Sequence, residues 1–199
     1  MCVLRLGCFA ENTWDLLVLI LVCLCAVGYR TVALNHIEYD TVGANSCQIN
    51  PLQLPAEKAA SKSSIFQSSG APVPLQQVTR LTAVLEDIAA CHALAQGNHI
   101  VESYDVVAVQ PESQQASRLA LMRSPQGFPA VQAFQYACER AWVDVVSFDL
   151  SKRIPFFLQP QYVDKAIKRG VMLELAYSAA LRDGVARRYF MSNAMALIR

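Results

Sequence analysis

Histidine, charge and paired cysteine are all scarce in this chain of 199 residues, and each scarcity excludes something. There are 3 histidines, His36, His92 and His99, with no His-x-His pair. The donor cluster with which a two- or three-metal hydrolase activates water is therefore not written in the sequence. Charged residues make up 17% and the net charge is +1, so no global field announces a polyanionic partner. No Gly-x-Ser-x-Gly elbow, Walker loop or dinucleotide-binding glycine pattern occurs. The 7 cysteines (Cys2, Cys8, Cys23, Cys25, Cys47, Cys91 and Cys138) are odd in number and contain no Cys-x-x-Cys pair. They read as buried free thiols of a reducing compartment rather than as a disulfide or zinc framework. No catalytic residue, metal site or cofactor is expected.

Apolar residues are abundant, at 54%, and the length suits a single domain with a sizeable core. The last third is the most ordered part of the pattern. Residues 142–150 (WVDVVSFDL) are short, apolar and β-branched, as a strand buried on both faces would be. Residues 161–169 place Tyr162, Val163, Ala166 and Ile167 on one helical face, and Gly170 stands where a helix ending wants a positive φ. Residues 171–177 (VMLELAY) read as a second buried strand, and 183–198 as a second helix. Strands alternating with helices imply a parallel sheet with right-handed crossovers, hence an α/β fold.

Upstream, residues 31–35, 77–85 and 104–109 read as strands, and 3–9 as a weaker one, making about six. A helix is expected over 86–95 and another from Ala130. Residues 38–75 are rich in Ser, Ala, Gln and Pro and read as a flexible excursion; about 112–130 read as a surface insertion. The run 16–27 is twelve uncharged apolar residues, short of the about 20 that a membrane span needs. It fits either a buried helix capped by Asn12 or Thr13 and ended at Gly28, or a signal or anchor segment.

The run RIPFFLQPQYVDKAIKRGVMLELAYSAALRDGVARRYFMSNAMAL, at 153–197, resembles the thirty-kilodalton protein subunit of ribonuclease P, shared with ribonuclease MRP. Gly28-Tyr29, VALNH at 32–36, TRLT at 79–82 and YDVVAV at 104–109 extend the resemblance in the same order over roughly half the chain. The resemblance implies a TIM-barrel-like domain of the PHP type, with about six of eight units present. The C-terminus then reads as truncated and the N-terminus as divergent. It implies a non-catalytic subunit that supports RNA-catalysed removal of tRNA 5′ leaders, and rRNA processing in the MRP particle, in the nucleus and nucleolus. Its partners would be the ribonuclease P/MRP RNA and other protein subunits, notably a small ferredoxin-like one. Precursor tRNA would be met indirectly, and no membrane partner is expected. The alternatives are a metal-dependent barrel phosphoesterase, or a secreted or anchored protein if 16–27 acts as a signal.

Charge is unevenly spread. Residues 1–138 hold 7 Lys and Arg against 10 Asp and Glu, a balance of −3, whereas 139–199 hold 10 against 6, a balance of +4. Phosphate recognition favours arginine, which bonds it bidentately. With the resemblance, Arg80, Lys152, Arg153, Lys168, Arg169, Arg187 and Arg188 become the RNA-contact candidates. Glu174, in an apolar strand, needs a partner for its carboxylate and is expected in a buried ion pair; Asp105, Asp144 and Asp149 flank strands similarly. His36 follows a strand and is a candidate for the barrel mouth.

Overall fold

The computed structural model describes residues 2–5, 21, 24, 28–39, 49, 52, 75–85, 91–94, 98–112, 129–154 and 156–198. The strands are β1 (Cys2–Arg5), β2 (Thr31–Tyr39), β3 (Gln76–Leu85), β4 (Val106–Pro111), β5 (Val145–Ser147) and β6 (Met172–Glu174). The helices are α1 (His99–Glu102), α2 (Pro129–Glu139), α3 (Pro160–Lys168), α4 (Ser178–Arg182) and α5 (Gly184–Ile198). The strands follow one another in the sheet in sequence order, β1 to β6. β1–β2, β4–β5 and β5–β6 pair in parallel. That is the α/β architecture read from the alternation, with the same number of strands among the described residues.

Two compact units divide the chain: residues 1–37 with 47–80, and residues 38–46 with 81–199. In the first, Leu21, Val32 and Leu34 are buried, with Leu24, Ile49, Leu52 and Leu75 packed against them. The Gln77 amide bonds the Leu52 backbone reciprocally, donating to its carbonyl at 2.7 Å and accepting from its N–H at 2.9 Å. Within the apolar run 16–27, Leu21 and Leu24 are helical. Tyr29 N donates to Leu24 O at 3.0 Å across Gly28, whose φ is 100°. That six-to-one bond over a left-handed residue is a Schellman helix ending, which a side chain at position 28 would strain. The rest of that run lies outside the described residues, as do most of 38–75 and 112–130.

In the second unit the core is the inner face of β3, β4 and β5 against α2. Val107, Ala108, Val109, Val145 and Val146 are buried beneath Ala133, Phe134 and Ala137. Phe134 is the hub, with the rings of Phe148 and Phe156 each 5.7 Å away. Asp144 stitches the strands at their entry: its carboxylate accepts from Val107 N at 2.8 Å and its own carbonyl accepts from Met172 N at 2.8 Å. This aspartate beside a strand is a backbone fastener.

Three expectations need correction. β6 is three residues long and is not buried: Met172 is 60% exposed, because β6 is the last strand in the order among the described residues. Ile167 does not join the buried face of α3; it is 62% exposed, and only Ala166 is fully covered. β2 does not end at Asn35 but runs on to Tyr39, so His36 lies inside a strand rather than after one. The start and stop of α3 match the reading, with Pro160 in the first turn and Gly170 at φ 79° just past the end.

Candidate nucleic-acid interface

Apart from Arg80, the basic residues singled out in the sequence fall on three pieces of the second unit. The first is the turn after β5. The Asp149 carboxylate accepts from Ser151 N at 3.1 Å and from the Ser151 hydroxyl, closing a tight Asx turn. Lys152 and Arg153 are thereby presented, exposed, at the end of the strand. Lys152 Nζ lies 3.1 Å from Asp149 and 3.9 Å from Glu112. Burial pushes the Asp149 carboxyl up, but its bonds to Ser151 and Lys152 outweigh that and hold it below the ordinary carboxylate range. The hydrogen bond to Asp149 raises Lys152 in turn.

The second piece is α5. Asp183 caps its start, accepting from Val185 N at 3.0 Å and Ala186 N at 3.1 Å. Those backbone bonds lower the Asp183 pKa. One face of α5 is buried through Ala186, Asn193 and Ala194, and Arg188 projects from the exposed surface. Arg187 is also exposed, but its Nε donates to Ala180 O at 3.0 Å, so part of this guanidinium ties α4 to α5. Asn193 reaches the first piece: its Nδ2 donates to Leu150 O at 3.2 Å and to Lys152 O at 2.7 Å. The helix that carries Arg187 and Arg188 thus holds the turn that carries Lys152 and Arg153.

The third piece is the end of α3. Lys168 is exposed. The Arg169 guanidinium turns back onto the end of α2, donating to Ala137 O at 3.1 Å, Cys138 O at 2.9 Å and Ala141 O at 2.6 Å. The first two are carbonyls of the last turn of α2, which a helix terminus leaves without intrahelical partners, and Ala141 lies just beyond it. Lys165 adds a 2.6 Å bond to Glu139, and that bond lowers the Glu139 pKa. Beneath this clamp, burial pushes the Cys138 thiol up to about 12.

The remaining candidates sit elsewhere. Arg80 is 2% exposed in β3. Glu174 is half-buried at the end of β6, in register with Ser147. His36 is half-buried in β2. Among the described residues there is no group of three or more His, Cys, Asp and Glu side chains placed to hold a metal, and no helix long and apolar enough to cross a membrane. Two contributors escaped sequence reasoning. The clamp by Arg169 depends on partners about thirty positions away. Asn193 did leave a signal, since an asparagine inside a helix is unfavourable unless its amide is used.

Around these pieces the unit exposes much apolar surface. Met172 and Tyr177 at β6, Leu181 on α4, and Val185, Met191, Met195 and Ile198 on α5 are all more than half exposed. Seven such side chains close in sequence exceed what isolated exposed residues explain.

A parallel, sequentially ordered sheet with helices between its strands defines the class: an α/β protein. The family described as RNase P subunit p30 matches residues 130–199, the stretch that builds all three basic pieces. Over those residues the chain matches that family, and the curated relatives it resembles include ribonuclease P and MRP protein subunits. It is 30% identical to the ribonuclease P protein subunit p30 of Mus musculus over 177 residues, 87% of this chain and 56% of the mouse protein. Protein GAMETOPHYTE DEFECTIVE 1 of Arabidopsis thaliana is 39% identical over 125 residues, 63% of this chain and 19% of that protein. The ribonuclease P/MRP protein subunit RPP1 of Saccharomyces cerevisiae is 29% identical over 125 residues, 63% of this chain and 36% of that protein. The chain thus spans about half the length of the mouse relative, and less of the other two.

Proposed function

We propose that this chain works as a non-catalytic protein subunit of ribonuclease P and ribonuclease MRP. It braces the RNA that removes 5′ leaders from precursor tRNA, and takes part in rRNA processing within the MRP particle. The observation that carries this reading is the family match over residues 130–199, because the same residues build the basic turn and helices. The phosphate-facing group is Lys152, Arg153, Lys168, Arg188 and the exposed part of Arg187. Arg80 is buried and the Arg169 guanidinium is engaged with three carbonyls, so these two serve the fold that presents the others. The exposed apolar side chains of β6, α4 and α5 support association with other protein subunits, among them a small ferredoxin-like one. The place of action is the nucleus, and within it the nucleolus.

Affinity purification of the tagged chain from cell extract tests the reading. Recovery of ribonuclease P or MRP RNA with its protein subunits is the expected result. Recovery of the chain without either RNA contradicts it.

A further inference from the structure

A groove of about 240 Å³ lies between the 3-10 turn His92–Leu94 and α2, lined by His92, Gln132, Gln135, Tyr136, Glu139 and Arg140. None of these is aliphatic, so an apolar peptide anchor would have to bury itself against amides, imidazole, carboxylate and guanidinium. Its volume is below the roughly 300–1,000 Å³ of sites for drug-sized ligands, which limits it to about one ring system.

Three features of the lining suit a base. His92 and Tyr136 meet edge-on, with centroids 5.1 Å apart and planes at 69°. Such a pair leaves ring faces outside the contact, which is what stacking a third planar ring requires. Gln132 and Gln135 are three residues apart on α2, so their amides lie on one side of the helix, and each offers donor and acceptor together. Gln135 is held in place: it hydrogen-bonds the Glu139 carboxylate, which Lys165 grips at 2.6 Å. Arg140 stands exposed at the end of α2. A helix C-terminus ordinarily repels an anion, but here Arg169 answers the carbonyls of Ala137, Cys138 and Ala141. A phosphate can therefore approach Arg140 without meeting that partial charge unopposed.

We propose that this groove is a subsite for one unpaired nucleotide of single-stranded RNA. Its base stacks on the Tyr136–His92 pair, Gln132 and Gln135 bond its edge, and Arg140 takes the adjoining phosphate. The proposal rests on the reading of the chain as an RNA-particle subunit and adds a base-contacting site built from residues other than those of the basic turn.

The test is fluorescence anisotropy of the full chain with an unstructured single-stranded RNA of about ten nucleotides and with a duplex of the same length. Tyr136→Leu keeps the apolar body and removes the aromatic ring. It is expected to weaken single-strand binding about tenfold, with duplex binding and the salt slope unchanged. Arg140→Gln is expected to lower the salt slope by about one. His92→Ala, in an exposed turn, gives the same selective loss if Tyr136→Leu fails to fold. Equal loss on both RNAs, no loss on either, or a wild-type chain that does not prefer the single strand overturns the subsite. The particle reading fails separately, when purification from extract recovers no ribonuclease P or MRP RNA. A variant that keeps RNA binding but sheds a protein subunit makes the groove a protein contact and also overturns the proposal.

Discussion

Asn193 Nδ2 donates to Lys152 O at 2.7 Å, and this bond fastens the last helix to the basic turn. The same nitrogen serves Leu150 O at 3.2 Å, and the residue is 7% exposed. An asparagine in that position serves two carbonyls of an irregular segment.

Asn193→Ala is expected to destabilise the protein by about 1–3 kcal/mol, because it removes the amide donor from one buried and one part-buried carbonyl. Urea denaturation followed by circular dichroism measures it. Asn193→Asp, which places an acceptor against acceptors, should cost at least as much. A midpoint unchanged by either substitution would mean that water replaces the amide and that the helix does not hold the turn.

Arg169→Ala removes three hydrogen bonds to the end of α2 and should cost about 1–3 kcal/mol, since bonds to a charged donor are worth more than neutral ones. Arg169→Lys should recover little, because an ammonium cannot span carbonyls as a planar fork does. Equal stability of the lysine variant and the parent would contradict the clamp.

Cys138 should resist alkylation in the native protein. Its thiol is buried and raised to about 12, so almost no thiolate exists near pH 8. Iodoacetamide labelling followed by peptide mass spectrometry should leave Cys138 unmodified until denaturant is added. Labelling at the rate of an exposed thiol would show that the α2–α3 contact opens readily.

Acid should weaken the same contacts. Glu139 and Asp149 have pKa values lowered in the fold from 4.5 and 3.8, so their stabilisation is present above those unfolded values and is lost as pH falls through the folded ones. Lys152, raised from 10.5, contributes below that value and loses it as pH rises through the folded one. Thermal midpoints should therefore fall on acidification below about pH 4, and Glu139→Gln should blunt the fall. An identical acid limb in that variant would remove the Lys165–Glu139 pair from the account.

Removing charge from α5 should act on RNA rather than on folding. Arg188→Ala alone is expected to weaken RNA binding and to lower its salt slope by about one, with an unchanged melt. The double change Arg187→Ala/Arg188→Ala should flatten the slope further, and also loosen α4 through the lost Ala180 bond. Unchanged affinity and slope would assign these arginines to solvent.

Much of the last third was legible because its signals are local. Pro160 and Gly170 bracket α3, and Val145 and Val146 declare a buried strand, without reference to the rest of the chain. Met172 and Ile167 misled for the opposite reason: an apolar residue reports what it would bury, not whether a neighbour is present to cover it. The Arg169 clamp could not be read, since its partners in and just after α2 lie 28 to 32 residues away and no local pattern distinguishes a helix-capping arginine from a phosphate-binding one. β2 was underestimated because His36 and Glu38 look like a loop when their half-exposed positions suit the end of a strand.

The most direct test of the central claim is precursor-tRNA cleavage by the fraction that copurifies with the tagged chain. The expected result is 5′-leader removal that is abolished when the copurified RNA is digested beforehand, and that persists with His36→Ala. Cleavage by the recombinant chain alone, or activity that survives digestion of the RNA, would contradict it.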